Sequence, residues 1–188
     1  MTVAAAPSSA ALSSAQLVSG LWSDARLRVY AMVLGARVTD LSERLAQAGD
    51  LDYHCLVPGA LSPAQRLRAP YLVELQPAST FSRWLLLEAA AGFGEWGVVA
   101  RSSARLLEVR SHARGLRQVV SAEQQDFGLD WMDPAVLDLL LTSATPDQLP
   151  AIFGRLDTLT VTTPQRWREY RIEAGRLQLR IVDVLKAG

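Results

Sequence analysis

The chain has 188 residues, a length that favours one domain. Hydrophobic residues make up 49% and charged residues 20% of it, which excludes a disordered chain and supplies a substantial core. The formal net charge of zero argues against the strong basic excess of a nucleic-acid binder, and a single cysteine, Cys55, excludes an intramolecular disulfide and fits a reducing compartment.

The first residues, "MTVAAAPSSAALSS", have neither a basic region nor a long apolar core. They read as a flexible leader over 1–14, followed by one domain over 15–188 in two lobes, about 15–120 and 121–188. No stretch approaches the ~18 uncharged apolar residues of a membrane span, so the expected location is the cytoplasm. "AQLVSGLW" (15–22) predicts a short helix. "RLRVYAMVL" (26–34) predicts a largely buried strand ended by Gly35. "TDLSERLAQAG" (39–49) predicts a helix with a Thr39 cap and Gly49 at its end. "DYHCLVPG" (52–59) and "PYLVELQP" (70–77) predict strands closed by prolines.

A helix capped by Ser79 is expected over 79–94, then a buried strand over 96–102. A helix over 103–120 follows, with Leu106, Val109, Ala113, Leu116 and Val120 on one face. A strand pair over 117–132, short helices at 134–143 and 146–153, and strands turning at Ala174-Gly175 complete the chain. Strand–helix alternation through residue 120 implies crossover connections. The expected class is α/β: a mixed, partly parallel sheet flanked by helices, with a more α+β C-terminal part.

Few residues offer chemistry. "GFGEWG" (92–97) matches G-x-G-x-x-G, but a helix precedes it and a strand follows, the reverse of a dinucleotide site; Gly92 reads as a helix C-cap. His54 and Cys55 are neighbours on a strand and point to opposite faces, so they form no nucleophile–base pair. With His112 the only other histidine, no metal set is evident. The reading is therefore no enzyme, no cofactor and no metal. Asp133 precedes Pro134 and a leucine-rich helix, so it is expected to cap that helix. "TPDQ" (145–148) repeats the device, with Thr145 as cap and Gln148 completing a capping box.

The remaining candidates concern partners. Arg110, Arg114 and Arg117 form a stripe beside the apolar face of the 103–120 helix, either a solvated face or a docking face for an acidic partner. Trp22, Trp167 and Tyr170 lie in terminal segments and are candidate contacts, whereas Trp96 is expected in the core.

"VYAMVLGA" (29–36), "APYLVEL" (69–75), "WGVVARS" (96–102), "SHARGL" (111–116), "WMDPAVL" (131–137) and "IFGRL" (152–156) occur in that order. Together they resemble a bacterial family first filed as a domain of unknown function (four-one-two-three). Its members look like adaptor chaperones of the type VI secretion system. The resemblance spans roughly 26–165 and rests on Pro70, Tyr71, Leu72, Val73, Trp96, Gly97, Ser102, His112, Arg114, Asp133, Pro134, Phe153 and Gly154. It implies binding of a toxic effector in the cytoplasm and its loading onto the VgrG spike protein, with no nucleic acid and no membrane involved. The alternatives are a baseplate-associated structural protein of the same system, or a small α/β hydrolase or transferase. Leu34, Asp130 and Ala135 depart from the family pattern, which implies a cargo of its own.

Overall fold

The computed structural model describes residues 4–5, 9–49, 51–120, 126–128 and 130–185. Its strands in chain order are β1 (Ala4–Ala5), β2 (Ser9–Leu12), β3 (Arg28–Leu34), β4 (Tyr53–Cys55), β5 (Pro70–Leu75), β6 (Gly97–Ser102), β7 (Gln118–Val120), β8 (Asp126–Gly128), β9 (Thr158–Thr162), β10 (Arg166–Glu173) and β11 (Arg176–Val184). The helices are α1 (Ser14–Gly20), α2 (Leu41–Ala48), α3 (Pro63–Arg68), α4 (Thr80–Trp84), α5 (Ala90–Phe93), α6 (Leu106–Leu116), α7 (Pro134–Ser143) and α8 (Leu149–Phe153).

Nine strands form one mixed sheet, in the order β4-β5-β3-β6-β9-β10-β11, with β1 and β2 both on β11. Every pairing from β4 through β11 is antiparallel; the parallel pairings are those of β1 and β2 with β11. The expected crossovers exist, with an antiparallel strand slotted into each. Strands β3 and β4 run the same way through α2, but β5 returns between them. Likewise β5 and β6 run the same way and flank β3. Such split β-α-β units join parallel strands without placing them side by side.

Strand β3 is the centre. Six consecutive residues, Val29 to Leu34, are buried, so both faces of the strand are covered. On one face Tyr30, Met32 and Leu34 pack with Val109, Ala113, Trp131, Leu137 and Phe153, under α6, α7 and α8. On the other, Val29, Ala31 and Val33 pack with Leu41, Leu45, Phe81, Leu85 and Trp96, under α2 and α4. The Tyr30 hydroxyl, buried in the first layer, donates to Ala104 O at 2.7 Å, so this polar group is satisfied.

Several expected boundaries shift. Helix α2 starts at Leu41 behind Asp40, which takes the left-handed conformation and makes no side-chain cap, so Thr39 is not the cap. Ser79 does cap α4. That helix widens into a π-helical turn over Leu85–Ala89 before α5, and the longer path puts the closing left-handed residue at Gly94 rather than Gly92. Helix α6 ends at Leu116, and β7 and β8 form the expected strand pair; its tip, 121–125, lies outside the described residues. Helix α3 is an element that the sequence reading passed over. Ser62 and Gln65 form a reciprocal capping box with Pro63 at the first position. Of the leader, Ser9–Leu12 pairs with β11, so that part belongs to the sheet; residues 1–3 and 6–8 lie outside the described residues.

Two glycines of the 92–97 motif differ sharply. A Cβ on Gly97 would lie 2.0 Å from Met32 O, because β3 and β6 meet there backbone to backbone. A Cβ on Gly92 meets nothing within 4 Å on its helix. Gly97→Ala is therefore expected to cost at least about 2 kcal/mol, and Gly92→Ala to gain about 0.5 kcal/mol. Urea-unfolding midpoints measure both; equal effects would remove the close-approach argument.

Candidate functional site

Three of the stretches that carry the family resemblance, 29–36, 69–75 and 131–137, meet at one end of the sheet. Gly35 follows β3 and donates its N–H to Ala69 O at 3.1 Å. A Cβ there would lie 2.4 Å from that oxygen, so "LGA" and "APY" touch because Gly35 lacks a side chain. Arg37, two residues on, donates to Glu95 O at 2.9 Å and forms an ion pair with Asp133. One guanidinium thus ties together the exit of β3, the approach to β6 and the start of α7.

Asp133 does cap α7, accepting from Ala135 N at 3.0 Å, with Pro134 buried at the first helical position. Between these stretches and α3 opens a groove of about 520 Å³. Leu34, Val57, Leu61, Ala64 and Pro70 give it apolar walls, and Arg37, Arg68, Arg117, Asp130 and Asp133 a charged rim. Two of the three departures from the family pattern, Leu34 and Asp130, line it.

Beside the groove lies the sheet edge, β4. Hydrogen bonds from Glu74 N to Asp52 O and from Leu56 N to Pro70 O set the phase of the ladder. Tyr53 and Cys55 therefore turn their backbone groups away from β5. Two members of the arginine stripe of α6, Arg110 and Arg114, face this strand, and the third, Arg117, faces the groove. Arg114 donates to Cys55 O at 2.7 Å, Arg110 lies 3.5 Å from His54 Nδ1, and Arg117 pairs with Asp130 at 3.1 Å. Nε of Arg110, Nε of Arg114 and Nη1 of Arg117 are enclosed without an acceptor among the described residues. His54 and Cys55 do lie on opposite faces, as alternation requires: His54 faces α6, and Cys55 packs in the layer of α2 and α4. Burial, then Arg110 and Arg114, hold the imidazole below its ordinary pKa, and Asp52 opposes them.

The other residues of the resemblance are joints of the fold. His112 Nε2 lies 2.9 Å from Ile152 O, and its ring covers Gly154, where a Cβ would meet the imidazole at 2.4 Å. The two stretches "SHARGL" and "IFGRL" are therefore pressed together. Trp131 Nε1 donates to Ala113 O at 3.1 Å, and Ser102 Oγ donates to Arg155 O at 2.6 Å. Tyr71 and Trp96 are buried. Thr145 contributes its backbone N–H to Gln148 Oε1 at 2.8 Å, half of the expected box, while α8 itself begins only at Leu149.

Among the candidate aromatic contacts, Trp22 is half-buried against the α2 and α4 layer. Trp167 and Tyr170 require correction. They are 6% and 1% exposed, because alternate residues of β10 face the two covered sides of the sheet. Sequence reasoning also missed a charge cluster. Arg168 reaches Asp138 at 2.5 Å and Glu95 at 2.7 Å, and the Tyr170 hydroxyl donates to the same Asp138 carboxylate. Burial raises the pKa of Asp138, and Arg168 opposes that shift. The signal was the lone acid inside "PAVLDLLL".

This is a three-layer α/β protein with a groove at one end of its sheet beside an open edge strand. The chain belongs to the family described as a domain of unknown function, DUF4123, whose sequence pattern matches residues 29–151. That family is associated with the effector adaptors of type VI secretion. No curated protein and no solved structure shows significant similarity to the chain. No helix among the described residues is long and apolar enough to cross a membrane.

Two outcomes test the geometry. Asp133→Ala removes the cap and the Arg37 pair and is expected to cost about 1 to 2 kcal/mol. Asp133→Asn keeps the cap and should cost only about 0.5 kcal/mol, a loss that disappears when Arg37 is already Gln. A full loss in Asn would place the weight on the charge. For His54, the folded pKa lies below the unfolded 6.5. Between those values the unfolded chain binds a proton that the folded chain does not, so stability falls as pH drops below 6.5. Unfolding midpoints measured from pH 7 to pH 5 should flatten in His54→Gln; an equally steep acid limb would refute that source.

Proposed function

We propose that this protein is a cytoplasmic adaptor chaperone without catalytic activity. It binds a type VI secretion effector and promotes its loading onto the VgrG spike. Membership of the family carries this reading, and three of the stretches of the resemblance, 29–36, 69–75 and 131–137, supply lining residues to the groove beside β4. An edge strand supplies backbone donors and acceptors to an added strand, and an apolar groove next to it supplies side-chain specificity. Arg68, exposed on the rim, adds a cation that speeds capture of an acidic segment.

Co-expression with a candidate toxin from a neighbouring gene, followed by co-purification, tests the reading. The expected result is a stable complex, and loss of toxin secretion when the gene is deleted. Absence of binding to both toxin and spike, with secretion unchanged, overturns it. Ala64→Glu and Arg68→Glu place acids in the groove at exposed α3 positions. They are expected to weaken the complex by roughly tenfold or more with thermal stability unchanged.

A further inference from the structure

The far half of the sheet holds a second cavity, remote from the groove. It lies on the face of β9, β10 and β11 that α1 covers, and its volume is about 280 Å³. Helix α1 buries none of its residues completely, so the covering is loose. The two ends of the cavity differ in chemistry. Leu17, Leu21, Trp167 and Val182 form an apolar end. Arg101, Arg171 and Arg180 line the rest, against one acid, Glu169.

The polar groups there are incompletely matched. Thr160 is 2% exposed and lines the cavity, yet its hydroxyl has no partner among the described residues. A buried hydroxyl left unpaired carries a desolvation cost, which a group entering the cavity would recover. Arg101 gives Nε to Thr158 Oγ1 at 3.1 Å but reaches Glu169 only at 3.4 Å. Arg171 is engaged by Glu173 at 2.8 Å, while its Nε is enclosed without an acceptor among the described residues. Arg180, exposed, stands opposite Glu169 in the strand register. Three guanidiniums against one lining carboxylate leave an excess of donors and positive charge beside an apolar pocket. The volume sits at the lower end of the range for ligand sites, which suits one side chain and its attached head group.

We propose that this cavity is a recognition pocket for a carboxylate carried on an apolar body. A polypeptide C-terminus and a free amphiphilic acid both have that chemistry. Arg101 and Arg180 take the carboxylate, Thr160 donates its free hydroxyl, and the apolar body lies on Trp167. Glu169 competes with the ligand for Arg101. The pocket stands independently of the adaptor reading.

The test titrates the full chain with three probes: N-acetyl-Leu-Leu as the free acid, the same dipeptide as its C-terminal amide, and octanoate. Calorimetry should show the acid binding at least about tenfold tighter than the amide. Arg180→Gln and Thr160→Val should each weaken the acid by a factor of about five or more. Thr160→Val should leave thermal stability unchanged or raised, since it removes an unpartnered hydroxyl while keeping the branched shape. Glu169→Gln should tighten binding by freeing Arg101, which a purely structural role for that pair would not do. Octanoate binding as tightly as the dipeptide acid assigns the pocket to free acids, and weaker octanoate assigns it to chain termini; both support the carboxylate site. No binding at millimolar probe, equal binding of acid and amide, or variants without effect overturns it.

Discussion

Everything in this fold hangs on the burial of β3. A strand covered on both faces and flanked on both edges has no access to water, so each of its backbone groups needs a partner strand. Strands β5 and β6 supply those partners, and both are reached by helical connections that cover the faces. The same requirement explains the glycines. Gly97 lets β6 approach Met32 O, and Gly35 lets the exit of β3 lie against Ala69. With β3 fixed, the groove at its end is fixed too, because Leu34 and Arg37 follow from a strand that cannot shift and Arg37 ties the Asp133 cap of α7 to it.

Arginine supplies the ties between layers. The chain has one lysine, and composition alone treats that as a genomic bias. The structure gives the choice a physical use. Arg37 joins Asp133 and Glu95 O, Arg168 joins Asp138 and Glu95, and Arg114 reaches Cys55 O. Arg37 and Arg168 each use the planar fork of donors to satisfy groups on different elements, a geometry that an ammonium on a flexible stem does not provide. A net charge of zero thus conceals a molecule whose charges are largely spent on its own joints.

Much of the fold was legible in the sequence. Period-2 and period-3.6 patterns located β3, β5, β6 and α6, and the Asp-Pro and Ala-Gly signals marked α7 and the last hairpin. Pairing was not legible, since alternation predicts a crossover but not the antiparallel strand that slots into it. Helix α3 carried its capping box openly, yet its apolar periodicity is too short to stand out. At the candidate site, "WMDP" was readable as a cap, while the groove was not, because its walls come from residues far apart in the chain. Trp167 and Tyr170 misled for a related reason: closeness to a chain end says nothing about burial when the last hairpin is an interior part of the sheet.

The two edges of the sheet are managed in different ways. At the β11 side the chain supplies its own strands, β1 and β2, so that edge is occupied. At the β4 side no strand is added among the described residues, and Arg114 engages one outward carbonyl, Cys55 O. A side chain covering a single acceptor blunts an edge against indiscriminate pairing, yet it leaves the backbone groups of Tyr53 facing outward. Under the proposed adaptor reading, such an edge would resist arbitrary strands and admit one whose side chains also fit the neighbouring groove. The edge would then supply affinity without sequence preference, and the groove the preference.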